Sequence, residues 1–121
     1  MGVLLLESNN FDRAKQLFQK AIRIQPNYAP AHNNLGIIFN ALEEAQKAIS
    51  SYQKAIRIQP NYAPAHNNLG MVFGELGEFE KAISSYQMAI KIKSNYLAAH
   101  YNLGMVRSEE HTSELQSHLN L

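Results

Sequence analysis

The sequence predicts an all-α fold in which antiparallel pairs of helices stack into a solenoid. The first observation is a tandem repeat: residues 27–36 recur letter for letter at 61–70, and a weaker copy follows at 95–104. The offsets 61 − 27 and 95 − 61 are both 34 residues. Periods of this length are typical of solenoids, in which each unit buries its apolar face only against neighbouring units.

The second observation is the type of residue that repeats. Residues 29–62 and 63–96 share 23 of 34 positions, and the shared residues alternate large with small at helical spacing. Small residues let two helices approach closely, while aromatic side chains fill the remaining space. Each unit is therefore expected to be a hairpin of a helix A and a helix B. The paired positions are Leu35/Leu69, Gly36/Gly70, Phe39/Phe73, Ala48/Ala82, Tyr52/Tyr86 and Ala55/Ala89.

This pattern resembles the tetratricopeptide repeat, a helix–turn–helix unit that stacks into a right-handed superhelix. The next unit matches the family signature from Leu69 to Ala89, with Ser94 where Pro is usual, and the resemblance extends to Val106. It implies a right-handed solenoid that binds another protein. The signature residues of the first complete unit are Leu35, Gly36, Phe39, Ala48, Tyr52, Ala55 and Pro60.

Residues 1–28 match the later part of a unit. We expect the end of a helix A, a turn at Asn9 and then a helix B, which makes seven helices or part-helices in the chain. Met1 would lie halfway along a helix, where no cap precedes the first N–H groups, so we expect an internal Met or a truncation. The residues in register with the signature are Gly2, Leu5, Ala14, Phe18, Ala21 and Pro26.

The turns inside the two complete units differ by one residue. Gly77 is suited to the left-handed conformation that ends a helix, whereas Glu43 at the same place is expected to lower local stability. The expected helices are 29–41 and 63–76 (helix A), and 44–58 and 78–92 (helix B). The expected boundaries are 1–28 for a truncated repeat, 29–62 and 63–96 for complete repeats, and 97–106 for the start of another.

The repeat register ends after Val106. Continuing it would require an aromatic residue where the chain has Arg107. Residues Arg107–Ser117 instead match the frame translation of a widely used sequencing adapter. We therefore expect residues 107–121 to be a non-native tail and the chain to be an internal fragment of a longer protein.

Composition excludes several classes of function. The chain has no Cys, so disulfides, cysteine zinc sites and thiol catalysis are excluded, and it has no run of about 18 apolar residues. Its net charge is +1, and without the three Glu and one Arg of the tail it has ten basic and seven acidic residues, or +3. Such mild charge disfavours nucleic acid. The expectation is a soluble chain, cytoplasmic by default, with neither nucleic-acid nor membrane partners.

A peptide-binding groove is expected on helix A, which lines the concave surface in the family that the sequence resembles. Asn34, Asn68 and Asn102 form a column that resembles the Asn ladder of the O-linked N-acetylglucosamine transferases. Asn amides have donors and acceptors for a peptide backbone, and Ile37, Met71 and Met105 add an adaptable apolar lane. The alternative is that the Asn side chains are solvated or bond the adjacent helix. The predicted groove residues are Asn33, Asn34, Ile37, Asn40, Asn67, Asn68, Met71, Glu75, Tyr101, Asn102 and Met105.

Other kinds of site are weaker candidates. His32, His66 and His100 would form a line with spacings of about 8–10 Å, not a metal shell, so we expect them to pack. The Lys and Arg residues of helix B are expected to form a solvated convex face, supported by Glu43–Lys47 spacing. Helix A carries no Lys or Arg, which disfavours the carboxylate clamp of chaperone-binding members. RNA reading is disfavoured too.

The predicted function is a protein- or peptide-binding scaffold, without cofactor or metal. No catalytic triad, paired carboxylates or phosphate loop stands out, so we expect no enzyme activity. The alternative is that the chain is the substrate-presenting arm of a larger enzyme, such as a glycosyltransferase or a sulfotransferase. We also expect end-to-end self-association, because neither end has a polar capping helix.

Overall fold

The computed structural model describes the backbone of residues 2–120 and the side chains of residues 10–120. Within these residues the chain consists of helices and turns, which confirms the all-α solenoid. In the two complete units each helix begins and ends within one residue of its predicted position. The helices are α1 (Gly2–Ile24), α2 (Ala29–Ala41), α3 (Ala45–Ile58), α4 (Ala63–Glu75), α5 (Phe79–Ile92) and α6 (Leu97–Leu119).

The helices form two layers that differ in spacing. Helices α2 and α3 form one hairpin, α4 and α5 form the next, and α6 packs on the second. Helix α2 contacts α4, and α4 contacts α6, whereas among the described residues the backbones of α3 and α5 do not approach each other. The A helices are therefore the close-packed inner layer, and the B helices are splayed on the outside.

Each complete hairpin is closed by a glycine on helix A and a tyrosine on helix B. A Cβ atom on Gly36 would lie 2.5 Å from Cε1 of Tyr52, and one on Gly70 would lie 2.7 Å from Cε1 of Tyr86. Only glycine allows the rings to lie this close to the backbone of helix A. The rings are almost fully buried, and Tyr52 packs in one cluster with Leu35, Phe39, Ala48, Leu69 and Val72.

The first unit differs from its prediction. The backbone is helical from Gly2 to Ile24 with no turn at Asn9, so six helices are found in the described residues where seven were expected. The other turns place Glu43 or Gly77 in the left-handed region, but Asn9 remains helical. A separate helix before Asn9 would have about two turns, too few to be stable without extensive packing.

The C-terminal helix also extends beyond one unit. Helix α6 continues through residues 107–119, because the Glu, Ser, Gln and Leu residues of this segment permit helix and no Gly or Pro interrupts it. Gly104 is the repeat equivalent of Gly36 and Gly70, but nothing lies within 4 Å of its Cβ position. The adapter-like origin of residues 107–121 stays a prediction. No helix among the described residues is long and apolar enough to cross a membrane.

The turns of the two complete units share one left-handed conformation, although one unit has Gly77 and the other has Glu43 at this position. Gly77 has φ +77° and Glu43, its repeat equivalent, has φ +61°. In both turns the backbone folds back in the same way: Glu44 N–H donates to Phe39 O at 2.8 Å and Glu78 N–H donates to Phe73 O at 2.9 Å. The hydrogen bonds therefore require the same left-handed residue in both units, and only one unit has glycine there.

We expect Glu43→Gly to stabilise the protein. The left-handed conformation costs a residue with a side chain about 1–2 kcal/mol, and the greater freedom of glycine in the unfolded chain offsets part of this, leaving a gain of about 0.5–1 kcal/mol. Urea unfolding measures the change. The matched variant Gly77→Glu should lose a similar amount. A loss of stability on Glu43→Gly would contradict this account of the turn.

A second prediction concerns the glycines of helix A. Gly70→Ala places a methyl group against the Tyr86 ring, and overpacking of this kind costs about 1–3 kcal/mol. Gly104→Ala meets open space, so the better helix propensity of alanine should raise stability by about 0.5–1 kcal/mol. Thermal unfolding of both variants should therefore shift in opposite directions. Equal shifts would show that the glycines are not required by the ring contact.

Candidate peptide-binding groove

Asparagine side chains connect successive A helices. The Asn68 Nδ2 group donates to Asn33 Oδ1 at 3.0 Å, and the Asn102 Nδ2 group donates to Asn67 Oδ1 at 3.2 Å. Asn33 and Asn67 are only 4% and 5% exposed. A buried amide needs partners, because leaving it unpaired costs free energy. These two hydrogen bonds therefore hold α2 to α4 and α4 to α6 at the same point of the repeat.

This arrangement corrects the predicted placement of two groove residues. The sequence predicts that Asn33 and Asn67 face the open groove, but both lie between neighbouring A helices. Asn68 and Asn102 are half-buried, and each uses one amide N–H to bond the preceding unit, as the alternative interpretation proposed. Each still has a free Oδ1 acceptor and a second N–H among the described contacts. Asn34 is half-buried and makes no such bond within the described residues.

An apolar lane runs along the inner surface beside the asparagines. Ile37, Met71 and Met105 are spaced one unit apart and are 43%, 40% and 46% exposed. Comparable exposure at three repeat-equivalent positions places apolar surface at the same point of each unit. The members of the lane come from α2, α4 and α6, and Met71 and Met105 line one cavity.

The remaining predicted residues lie around this lane. Asn40 is half-buried near the end of α2, and Glu75 is exposed at the end of α4. Tyr101 occupies the repeat position of Asn33 and Asn67 but is largely exposed, because no further A helix covers it in the described residues. Tyr101 therefore lies at the end of the stack of A helices and not in the groove where the sequence predicts it.

A cavity of about 240 Å³ opens between α4 and α6. Four of its residues are predicted groove residues: Met71, Glu75, Asn102 and Met105. Gly74 takes the repeat position of the predicted groove residue Asn40, and its missing side chain leaves this space empty. The lining residues that were not predicted from the sequence are Tyr86, Val106 and Glu109.

The cavity has a negative electrostatic character. Burial, followed by the nearby carboxylates of Glu109 and Glu75, raises the pKa of Tyr86 to about 12. Burial also raises the pKa of Tyr52, with a smaller contribution from Glu75. Carboxylates disfavour a phenolate because like charges repel. The carboxylate of Glu75 therefore contributes to the raised pKa of both tyrosines that close the hairpins.

The histidines hold the turns between units. Nε2 of His32 and of His66 donates to the carbonyl oxygens of Pro26 and Pro60, each at 2.9 Å, and Nε2 of His100 to that of Ser94 at 2.8 Å. A carbonyl can only accept, so Nε2 carries the proton in each ring. Each histidine thus ties the end of a B helix to the next A helix. No cluster of potential metal ligands is found among the described residues.

The convex lysines make local contacts on their own hairpins. Lys47 Nζ lies 3.6 Å from Glu44 Oε2 and 5.8 Å from the centre of the Phe39 ring. The expected partner was Glu43, but its left-handed backbone removes it from the helical face, so Glu44 takes its place. Lys81 repeats the arrangement with Glu78 at 3.6 Å. Such exposed pairs contribute little to stability.

Helical hairpins joined at fixed spacing, with an open inner surface, define a helical repeat solenoid. A model of the tetratricopeptide repeat matches residues 27–95, and a second TPR repeat model matches residues 2–42. The chain belongs to the tetratricopeptide repeat family. No curated protein matches it significantly.

Solved structures with similar folds include the crystal structure of MamA. It is 30% identical to this chain with a TM-score of 0.78, and the match covers 84% of this chain. The chain spans 59% of the MamA chain. The Sgt2 TPR domain from Aspergillus fumigatus is 19% identical, with a TM-score of 0.83 and coverage of 93% and 76%. The first TPR of Spaghetti (RPAP3), bound to the HSP90 peptide SRMEEVD, is 18% identical, with a TM-score of 0.80 and coverage of 91% and 87%.

Asn34 and Asn68 have the same repeat position, so a comparison of the two tests whether the asparagine pairs stabilise the protein. Asn68→Ala leaves the buried Asn33 side chain without its partner, so we expect a loss of about 1–3 kcal/mol in the free energy of unfolding. Asn34→Ala removes the equivalent side chain where no such bond exists, so it should change stability by less than about 0.5 kcal/mol.

Urea unfolding of Asn34→Ala, Asn68→Ala and the double variant Asn33→Ala/Asn68→Ala measures these effects. The double variant should lose less than the sum of its single variants, because the two residues are coupled. Equal losses for Asn34→Ala and Asn68→Ala would show that the cross-unit bond has no role in stability.

Proposed function

We propose that this chain is a scaffold that binds an extended segment of a partner protein along the inner surface of α2, α4 and α6. The observation that carries the proposal is the apolar lane of Ile37, Met71 and Met105. Three side chains of this kind, each about 40% exposed at the same repeat position, present apolar surface that a partner can cover.

Hydrogen-bonding groups beside the lane support an extended ligand. Asn68 and Asn102 each retain an acceptor and an N–H after bonding the preceding unit, and Asn34 retains its whole amide. A peptide backbone offers both donors and acceptors, so it can pair with such groups without regard to its sequence. A solved structure with the same fold is bound to a peptide, which is consistent with this use of the inner surface.

The inner surface differs from one that clamps a terminal carboxylate. Helices α2 and α4 carry no Lys or Arg, and the one such residue of α6, Arg107, lies in the segment predicted to be a non-native tail. The proposed ligand is therefore held by apolar contacts and amide hydrogen bonds, not by ion pairs with its terminus. Methionine side chains adapt to different partners, which suits a surface that accepts several sequences.

The test compares the inner and outer surfaces of the full chain. The lane variant Ile37→Ala/Met71→Ala/Met105→Ala keeps good helix formers at all three positions. The control variant Lys54→Ala/Arg57→Ala/Lys91→Ala changes exposed residues of the B helices. Binding to an array of unstructured peptides is measured for both variants, with circular dichroism to show that each remains folded.

We expect the lane variant to weaken binding by roughly 2 kcal/mol, which is about 30-fold in Kd, because three partly exposed side chains lose apolar contact. The control variant should bind as the unchanged protein does. Loss of binding in the control variant alone would place the partner on the outer surface and refute the proposed groove.

A further inference from the structure

We propose that the groove selects a basic segment, with one Lys or Arg side chain of the ligand entering the cavity between α4 and α6 and its apolar neighbours lying on Met71 and Met105. This inference rests on the proposed peptide-binding function and specifies its ligand. Glu75 is the residue expected to meet the positive charge. Tyr86 is expected to accept a hydrogen bond from it.

The inner surface offers a negative charge to a ligand. Glu75 is the only Asp, Glu, Lys or Arg residue in α2 and α4. It is exposed, and no ion-pair partner is found for it among the described side chains. No Lys or Arg lines the cavity that Glu75 borders. An unpaired carboxylate at an apolar groove attracts a cation and repels an acidic ligand.

The floor of the cavity offers the hydroxyl group of Tyr86 to a ligand. Tyr86 is only 4% exposed, yet it lines the cavity, and no described residue hydrogen-bonds its hydroxyl group. The hydroxyl group is accessible from the cavity, so a ligand that enters the cavity can hydrogen-bond to it. Burial is the largest cause of the raised pKa of Tyr86, followed by the carboxylates of Glu109 and Glu75, and of these causes only the carboxylates favour a nearby cation.

The shape and lining of the cavity suit a long basic side chain. A volume of about 240 Å³ corresponds to about eight water molecules, at about 30 Å³ each. This is room for one long side chain. Met71 and Met105 line it together with Gly74, so the methylene groups of Lys or Arg would contact apolar atoms while the charge reaches Glu75. Long basic side chains commonly bury their stems in this way.

The experiment uses the full chain and three labelled peptides that differ at one residue. Each is an unstructured nonapeptide with the central sequence Leu-Lys-Leu, Leu-Gln-Leu or Leu-Glu-Leu. Fluorescence anisotropy gives Kd at low and high salt. We expect the Lys peptide to bind at least about fivefold more tightly than the Glu peptide, with a smaller difference at high salt because ions screen the charges.

Variants at the cavity assign the preference to its residues. Glu75→Gln should remove most of the difference between the Lys and Glu peptides, and Glu75→Lys should reverse it. Tyr86→Phe keeps the ring that closes the hairpin, and should weaken the Lys peptide more than the Gln peptide. Glu80→Gln, an exposed site on α5, is the matched control and should leave the preference unchanged.

The outcomes separate this inference from the proposed function. If the Lys and Glu peptides bind equally well and both lose binding in the lane variant, the groove binds peptides but does not select charge, and the inference is overturned. A preference that survives Glu75→Gln overturns it as well. If none of the three peptides binds, the proposed function itself fails.

Discussion

The fold depends on the close contact between a glycine of helix A and a tyrosine of helix B. Gly36 with Tyr52, and Gly70 with Tyr86, bring two helices together at a distance that any side chain on helix A would prevent. The contact also determines where the aromatic rings end. Each ring lies against helix A, and after burial the carboxylate of Glu75 contributes to the raised pKa of its hydroxyl group. In the second complete unit the same tyrosine, Tyr86, also lines the cavity between α4 and α6.

Polar contacts then fix how one hairpin follows the next. A histidine donates to a carbonyl oxygen in the turn that follows the preceding B helix, and an asparagine pair joins neighbouring A helices. Both recur once per unit, so successive hairpins adopt the same arrangement. Because these contacts use Asn33 and Asn67 for structure, the exposed inner surface is left to one asparagine per unit and to the apolar lane. The groove therefore consists of the side chains that are not used to join the units.

The repeat also explains why the groove differs from one unit to the next. Asn40 becomes Gly74 and Ala41 becomes Glu75, while the residues that close and join the hairpins stay the same. Substitution at these positions leaves the packing intact and changes only the space and charge offered to a ligand. A scaffold of this kind keeps its framework constant and places its specificity in the few inner positions that packing does not use.

The sequence by itself determined the all-α class, the period, the hairpin units and the helices of both complete units to within one residue, because small and aromatic residues at helical spacing are a local signal. It also located the strained turn at Glu43. Only the tertiary structure decided that residues 2–24 form one helix, that Lys47 pairs with Glu44, and that Asn33 is buried while Asn34 is not. Adjacent residues of a helix point about 100° apart, so which of them meets the neighbouring unit depends on the angle between helices. That angle is set by the packing of all side chains together, and no single segment of the sequence contains it.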